Sequence, residues 1–172
     1  MPGPIAEWLG LTRWSDHYEA RLGLLLDERV DKVWLALTTP DWLPRWLAPG
    51  RIEPKLGGDV AFEFGDSACP MRSTVTALIP GSLIEYAWSR AGERPRPVRW
   101  ALEPLGPTTR LTLTVAFGAS TDVARFMAGW AAHLDMLVAA LAGIPIEFPF
   151  DVFQGALAAY RAELGAAGAG TH

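Results

Sequence analysis

The spacing of apolar positions changes along the chain and divides its first third into a strand and two helices. Residues 18–27 ("YEARLGLLLD") alternate in polarity, which is typical of a β-strand. The next apolar positions recur at helical spacing and predict an amphipathic helix with Asp27 as its N-cap: Val30, Val33, Trp34 and Leu37. Thr39 and Pro40 predict the start of a second helix, which Pro44 keeps short.

The middle of the chain contains segments with strand character, separated by turn residues. These segments are 58–64, 71–79, 83–89, 97–103 and 109–117. Because short loops join neighbouring segments, they are expected to pair antiparallel. Aromatic and aliphatic residues alternate with Glu, Arg and Thr along most of them. The sheet is therefore predicted to have one apolar face and one face in water.

An apolar stripe further along predicts a long helix that covers the apolar face of this sheet. The stripe consists of Val123, Phe126, Met127, Trp130, Leu134, Leu137, Val138 and Leu141. Ser120 can cap its start, Gly143 suits the position after its end, and Pro145 lies just beyond. The predicted fold class is α+β with the helix-grip arrangement. In it, a curved antiparallel sheet wraps around a long C-terminal helix, and two short helices follow the first strand.

The remaining segments flank a single predicted domain. Residues 1–17 have no clear period and are expected to form an irregular arm, and residues 18–143 are expected to form the domain. Residues 144–172 are expected to add a linker, a short helix and a disordered end from Gly165 onward. The length of 172 residues suits one well-filled core.

Composition argues against several classes of function, including nucleic-acid binding and membrane association. The formal net charge of −4 gives no electrostatic footprint for nucleic acid or for an anionic membrane. No stretch approaches the roughly twenty apolar residues of a transmembrane helix, so no integral membrane association is expected. The single cysteine, Cys69, excludes an internal disulfide, fits a reducing compartment and is interpreted as an inert loop thiol. With no signal peptide visible, the chain is expected to be cytoplasmic.

Several blocks of the sequence together resemble a known superfamily. They are "VDKVWLALTTPDWLPRWLAP", "KLGGDVAFEF", "VTALIPGSLIEYAWS", "WALEPLGPTTRLTLTVAF" and "AGWAAHLDMLVAALAG". In this order they resemble the SRPBCC (START-like, polyketide-cyclase-like) superfamily, and within it the branch named after the activator of the heat-shock-protein-ninety ATPase. The resemblance implies an incomplete barrel around the C-terminal helix, with a deep apolar cavity between sheet and helix. In related groups that cavity binds lipids, polyketides, plant hormones or aromatic intermediates.

Aromatic residues on the predicted inner faces are the candidates for lining such a cavity. The predicted ligand-binding residues are Trp46, Phe62, Phe64, Tyr86, Trp88, Trp100, Met127, Trp130 and His133. Flat, polarisable rings suit an aromatic or polyene ligand. The alternative is that these rings only fill the core.

Charged residues on the strands fall mostly on the wet face, which leaves few candidates for catalysis. Tyr86 could orient a ligand carbonyl and His133 could act as a general base, whereas the ordinary alternatives are a core tyrosine and an edge histidine bonded to a backbone carbonyl. Arg72 is a further inward candidate, because its strand alternates poorly. With His17 in the arm and His172 in the tail, no metal site and no cofactor are predicted.

Three functional hypotheses follow from these observations. The first is a protein that holds a small apolar or aromatic ligand, such as a lipid or a polyketide-like molecule. The second is a cyclase, aromatase or dehydratase that uses Tyr86 and His133 on such a ligand. The third is an interaction protein resembling a co-chaperone, although the eukaryotic co-chaperone carries a further domain that this sequence lacks. The apolar segment "IEFPFDVF" could also support a homodimer.

Overall fold

The computed structural model describes residues 5–64, 71–89, 94–118 and 121–169. Cys69, Ser120 and His172 lie outside these residues. In the described part of the chain, eight antiparallel strands form one sheet, accompanied by four helices. The strands are Glu7–Arg13 (β1), Tyr18–Leu26 (β2), Gly50–Ile52 (β3), Asp59–Phe62 (β4), Met71–Ile79 (β5), Leu83–Ala87 (β6), Pro97–Leu105 (β7) and Thr108–Phe117 (β8). The helices are Val30–Thr38 (α1), Leu43–Trp46 (α2), Val123–Leu141 (α3) and Phe150–Ala169 (α4).

The longest pairings of the sheet are those of β8 with β2 and with β7. The strand order is β1-β2-β8-β7-β6-β5-β4-β3. β5 connects the two halves, because its first part pairs with β4 and its second part with β6, with an irregular register between Val75 and Ala77. Such irregularities bend a strand and increase the twist of the sheet. The predicted α+β helix-grip class, a curved sheet against a long helix, is confirmed.

Alternation along the strands correctly predicted which side chains lie inside. The inward positions of the four central strands are almost fully buried: Leu22, Leu24, Ile84, Tyr86, Val98, Trp100, Leu102, Leu111, Leu113 and Val115. On the outer face, the Arg99 guanidinium pairs with the Glu85 carboxylate at 2.7 Å, as expected for a face in water.

The long helix α3 is buried on more than one side. Trp130, Ala131 and Ala132 are all buried, although consecutive helical residues point roughly 100° apart. The sheet covers one side of α3, and α4 packs along another and buries Ala156 and Tyr160. The Tyr160 hydroxyl donates a 2.8 Å hydrogen bond to the carbonyl oxygen of Ala6, next to β1. The last helix is therefore tied to the first strand.

Three elements differ from the prediction. The arm contains β1, which pairs with β2 across a register shift between Trp8 and Gly10. That bulge interrupts the alternation, and Gly10 has a φ of 143°. β3 was not predicted, because a strand of three residues carries too little pattern. α4 is longer than the predicted short helix and continues through Gly165, where disorder was expected, because packing on α3 outweighs the low helix propensity of glycine.

Three of the predicted helix starts also differ from those in the structure. α1 has Arg29 at its N-cap rather than Asp27, and no side chain caps it. Residues 40–42 form a turn rather than the start of a helix, and α2 begins at Leu43 with Pro44 in its first turn. Asp122 caps α3 by accepting a 3.3 Å hydrogen bond from the backbone N–H of Arg125. Gly143 follows α3 with a φ of 75°, as predicted for the residue after a helix end.

The length and hydropathy of the helices decide whether any of them can cross a bilayer. None of those between residues 5 and 169 is long and apolar enough to cross a bilayer.

Candidate functional site

Aromatic rings fill the interior between the sheet and α3. Trp46 and Trp100 meet edge to face with ring centroids 5.5 Å apart. The Trp100 indole donates a 3.0 Å hydrogen bond to the Tyr86 hydroxyl, and the Trp46 indole donates one of 2.8 Å to the Ala36 carbonyl. None of Trp46, Tyr86 and Trp100 is more than 1% exposed. These side chains occupy the region in which the resemblance implied a deep cavity.

An open apolar groove lies beside this packed interior and has a volume of about 550 Å³. Its floor is one face of α3 and its cap, formed by Asp122, Arg125, Phe126, Gly129, Trp130 and His133. Each of these positions has another of them three or four residues away, so they share one side of the helix. Its walls include Leu47 after α2, Trp88 after β6 and Phe153 on α4. The groove therefore brings together residues from four parts of the chain.

The aromatic side of the groove continues into the core. The rings of Trp88 and Trp130 lie 5.0 Å apart, and Trp130 contacts Trp100 edge to face at 5.6 Å. Trp88 also packs on Phe62 at 5.2 Å. Because the buried rings behind them hold Trp88 and Trp130 in place, this wall is rigid and preorganised for a flat apolar partner.

Gly129 sets the depth of the groove at its centre. It lies in the middle of α3, and a Cβ atom added there would meet no heavy atom within 4 Å. A glycine inside a helix costs stability relative to alanine, roughly 0.5–1 kcal/mol. The backbone of α3 is consequently accessible between Phe126 and Trp130.

His133 is the one imidazole that lines the groove in the described residues. Its Nδ1 lies 2.8 Å from the Trp46 carbonyl oxygen, which can only accept, so Nδ1 carries the proton. Burial lowers the pKa of His133 below its ordinary value of 6.5, although the bond to Trp46 opposes this. The ring is therefore neutral near pH 7, and its Nε2 is a hydrogen-bond acceptor.

Tyr86 has different surroundings. It does not line the groove, and its hydroxyl is buried against the Trp100 indole. Burial raises the pKa of Tyr86, so the phenol stays neutral. Tyr86 and His133 thus do not face a common space. An enzyme that needs both side chains on one ligand is not supported by this geometry.

The other predicted residues divide between the groove and the core. Trp88, Trp130 and His133 line the groove, whereas Trp46, Phe62, Tyr86, Trp100 and Met127 are buried inside. Phe64 is 39% exposed and packs edge to face on Trp88 at 5.5 Å, beside the groove. Arg72 is exposed on the outer face of the sheet rather than directed inward.

Several residues of the groove were not predicted from the sequence. Phe126 had been assigned to the core stripe, and Leu47, Arg125, Gly129 and Phe153 had not been singled out. An isolated glycine within a helical pattern is a usable signal for close approach, and Gly129 fits it. In the described residues, no group of three His, Cys, Asp or Glu side chains could hold a metal ion.

The sequence and the fold were compared with known proteins. The family model described as "Activator of Hsp90 ATPase homolog 1-like protein" matches residues 27–142. The chain belongs to this family. The branch of the SRPBCC superfamily that the sequence resembles is thus confirmed. No curated protein matches this family member at a significant level.

Solved structures share the fold of this chain. CalU16 from Micromonospora echinospora is 21% identical with a TM-score of 0.75, covering 96% of this chain and 98% of that chain. The BPP1335 protein from Bordetella parapertussis is 26% identical with a TM-score of 0.65, covering 94% of each chain. DynU16, described as a putative protein in the dynemicin biosynthetic locus, is 24% identical with a TM-score of 0.65, covering 74% of this chain and 48% of that chain.

Proposed function

We propose that this protein binds a small apolar molecule with an aromatic part in the groove along α3. The observation that carries the proposal is a groove of about 550 Å³ with Trp88, Phe126 and Trp130 on its surface. Ligand sites in proteins typically measure about 300–1,000 Å³ and combine apolar walls with a few oriented polar groups. His133, fixed by its bond to Trp46, supplies such a group.

The energetics of apolar contact favour a binding role. Burial of about 200 Å² of apolar ligand surface contributes roughly 5 kcal/mol at about 25 cal/mol per Å². Costs of association reduce this value, so weak to moderate affinity is expected. Binding requires shape and apolar area alone, and the groove supplies both.

The experiment measures thermal unfolding and tryptophan fluorescence with a panel of lipids, polyketides and other small natural products. DynU16 belongs to a biosynthetic locus, which supports the inclusion of natural products. A ligand at about 100 times its Kd should stabilise the fold by about 2.7 kcal/mol and raise the Tm. Because Trp88 and Trp130 line the groove, the same ligand should change the emission of the protein.

A pair of glycine variants tests whether binding occurs in the groove. Gly129→Leu places a side chain in the groove and is expected to abolish binding. Gly155→Leu is the matched control, since Gly155 lies in α4, does not line the groove and also has no atom within 4 Å of an added Cβ. Equal ligand affinity in the two variants would contradict the proposal.

A second candidate function is proton abstraction from the bound ligand by His133. It is favoured by the neutral imidazole, whose Nδ1 proton is engaged by Trp46 and whose Nε2 can accept a proton. Deuterium exchange next to a ligand carbonyl, followed by NMR, should be faster with wild-type protein than with His133→Asn. Equal exchange rates would leave binding as the function.

The homodimer stays a prediction. Ile144, Ile146 and Phe150 near the start of α4 are exposed, and such apolar surface is common at interfaces. Sedimentation velocity over a range of concentrations measures the oligomeric state, and Phe150→Asp should shift a dimer to a monomer.

A further inference from the structure

The end of the groove nearest the start of α3 carries a positive charge. The guanidinium of Arg125 lies 5.7 Å from the centre of the Phe153 ring at the groove wall, within reach of a cation–π contact. None of the ion pairs among the described residues involves Arg125. Its charge is therefore available to a ligand.

The neighbouring charges do not neutralise Arg125. The carboxylate of Asp122 accepts from the Arg125 backbone N–H through Oδ1, and its Oδ2 lies 3.5 Å from the Arg161 guanidinium. Arg96 adds a further guanidinium, which reaches the Thr121 hydroxyl at 3.5 Å. Although the whole chain has a net charge of −4, Arg125 lines this end of the groove beside Asp122, and Arg96 and Arg161 contact the lining residues Thr121 and Asp122 from outside it. An anion is the complementary ligand group.

The opposite end of the groove offers an acceptor rather than a charge. His133 follows Arg125 by eight residues on the same face of α3, a rise of about 12 Å. Its Nε2 can accept a hydrogen bond, because Nδ1 donates to Trp46. Between the two ends, the surface is formed by Phe126, Gly129 and Trp130. The groove thus has a cationic end, an apolar middle and an accepting end.

We infer that the ligand is an aromatic carboxylic acid whose carboxylate pairs with Arg125 and whose far end donates a hydroxyl hydrogen bond to His133. The inference rests on the proposed function and adds the chemical class of the ligand. A guanidinium matches a carboxylate in a two-bond, planar geometry that a lysine or a neutral amide does not reproduce. The phenyl rings of Phe126 and Phe153 flank this end and offer apolar contact to the aromatic part of the ligand.

The test compares one rigid acid with its neutral ester. The probe is 4′-hydroxybiphenyl-4-carboxylate, in which the carboxylate and the hydroxyl stand at opposite ends of two aromatic rings. Isothermal titration should show that wild-type protein binds the acid about tenfold more tightly than its methyl ester, since hydrogen bonds to charged groups are the stronger class. Higher salt should reduce this ratio. Biphenyl-4-carboxylate, which lacks the hydroxyl, should bind more weakly than the hydroxy acid.

Three arginine variants separate charge from structure. Arg125→Gln should bring the affinity ratio of acid to ester close to one, and Arg125→Lys should retain part of it. Arg45→Gln is the matched control and should keep the full ratio. Arg45 is also a helical arginine stacked on a ring, 4.8 Å from the centre of Trp42, but it does not line the groove. Thermal unfolding of each variant checks that the fold is retained.

The outcomes distinguish this inference from the proposed function. If acid and ester bind wild-type protein equally, the inference is overturned and apolar binding in the groove stands. If Arg125→Gln weakens acid and ester by the same factor, Arg125 acts through its packing on Phe153, and the inference is again overturned. If neither acid nor ester binds wild-type protein, the inference and the proposed aromatic ligand fail together.

Discussion

At the scale of single residues, His133 couples the groove to the backbone of α2. Burial lowers the pKa of its imidazole below 6.5, whereas an unfolded chain titrates near that value. As pH falls below about 6.5, the unfolded state binds more protons than the folded state. The free energy of unfolding must therefore decrease, by at most about 1.4 kcal/mol per pH unit for one group.

Urea unfolding at pH 7.5, 6.5 and 5.5 measures this dependence. Wild-type protein is expected to lose more stability over this range than His133→Asn, whose amide can still donate to the Trp46 carbonyl. His17, whose pKa is raised by Asp16, is present in both proteins and cancels in the comparison. Parallel pH profiles would show that His133 is not the group responsible.

Removal of two buried hydroxyls, those of Ser73 and Thr109, should have different effects on the stability of the protein. In the described residues, the Ser73 hydroxyl is buried without a hydrogen-bond partner, while the Thr109 hydroxyl donates to the Glu28 carbonyl at 2.7 Å. An unsatisfied buried polar group costs about 1–3 kcal/mol, so Ser73→Ala should leave stability unchanged or increase it. Thr109→Val should lower it by about 1–2 kcal/mol, because a satisfied bond is lost. Chemical denaturation measures both, and an equal loss in the two variants would contradict this assignment.

Residue patterns predicted burial better than they predicted the groove. Alternation in β6 and β7 placed Tyr86 and Trp100 inward, and both are buried. It could not tell whether an inward ring meets open space or another ring. That depends on distances between elements, such as the 5.5 Å between Trp46 of α2 and Trp100 of β7. A residue such as Phe126, at the edge of the helical stripe, lines the groove because it is only partly covered.

At the scale of elements, glycines in and after α3 should have opposite effects when changed to alanine. Gly129→Ala is expected to stabilise the protein by about 0.5–1 kcal/mol, because the site is helical and open. Gly143→Ala is expected to destabilise it by about 1 kcal/mol, because Gly143 has a φ of 75°. Thermal unfolding of the two variants measures both effects, and a destabilised Gly129→Ala protein would contradict the description of the groove floor.

The long elements were predictable and the ends of the chain were not. A continuous apolar stripe predicted α3, and the alternation of apolar and polar residues predicted β8. β1 was not predicted because the bulge between Trp8 and Gly10 interrupts its alternation. The full length of α4 was not predicted because its sequence is rich in Gly and Ala. Both gain their stability from partners distant in sequence, which local propensity does not report.

At the scale of the whole molecule, the hydrogen bond from the Tyr160 hydroxyl to the Ala6 carbonyl links the last helix to the segment next to β1. Tyr160→Phe removes this buried donor and should cost about 1–2 kcal/mol of stability. It should also speed amide hydrogen exchange more in β1 and α4 than in β7, because local opening near the lost bond adds to the effect of global unfolding. Hydrogen exchange measured by NMR checks this, and a uniform change over all strands would indicate a global effect instead.

The position of β8 next to β2 has a consequence for the order of events during synthesis. In this pairing, Tyr18 lies opposite Phe117 and Leu26 lies opposite Thr109. β8 can therefore pair with β2 only after the whole chain between Leu26 and Thr109 has left the ribosome. Until then, the edge of β2 that β8 will occupy is unpaired and the apolar face of the hairpin formed by β1 and β2 has no cover, the condition in which nascent chains aggregate. Pairing across such a long separation is also slow. A chaperone that shields this hairpin early in translation would raise the yield of folded protein.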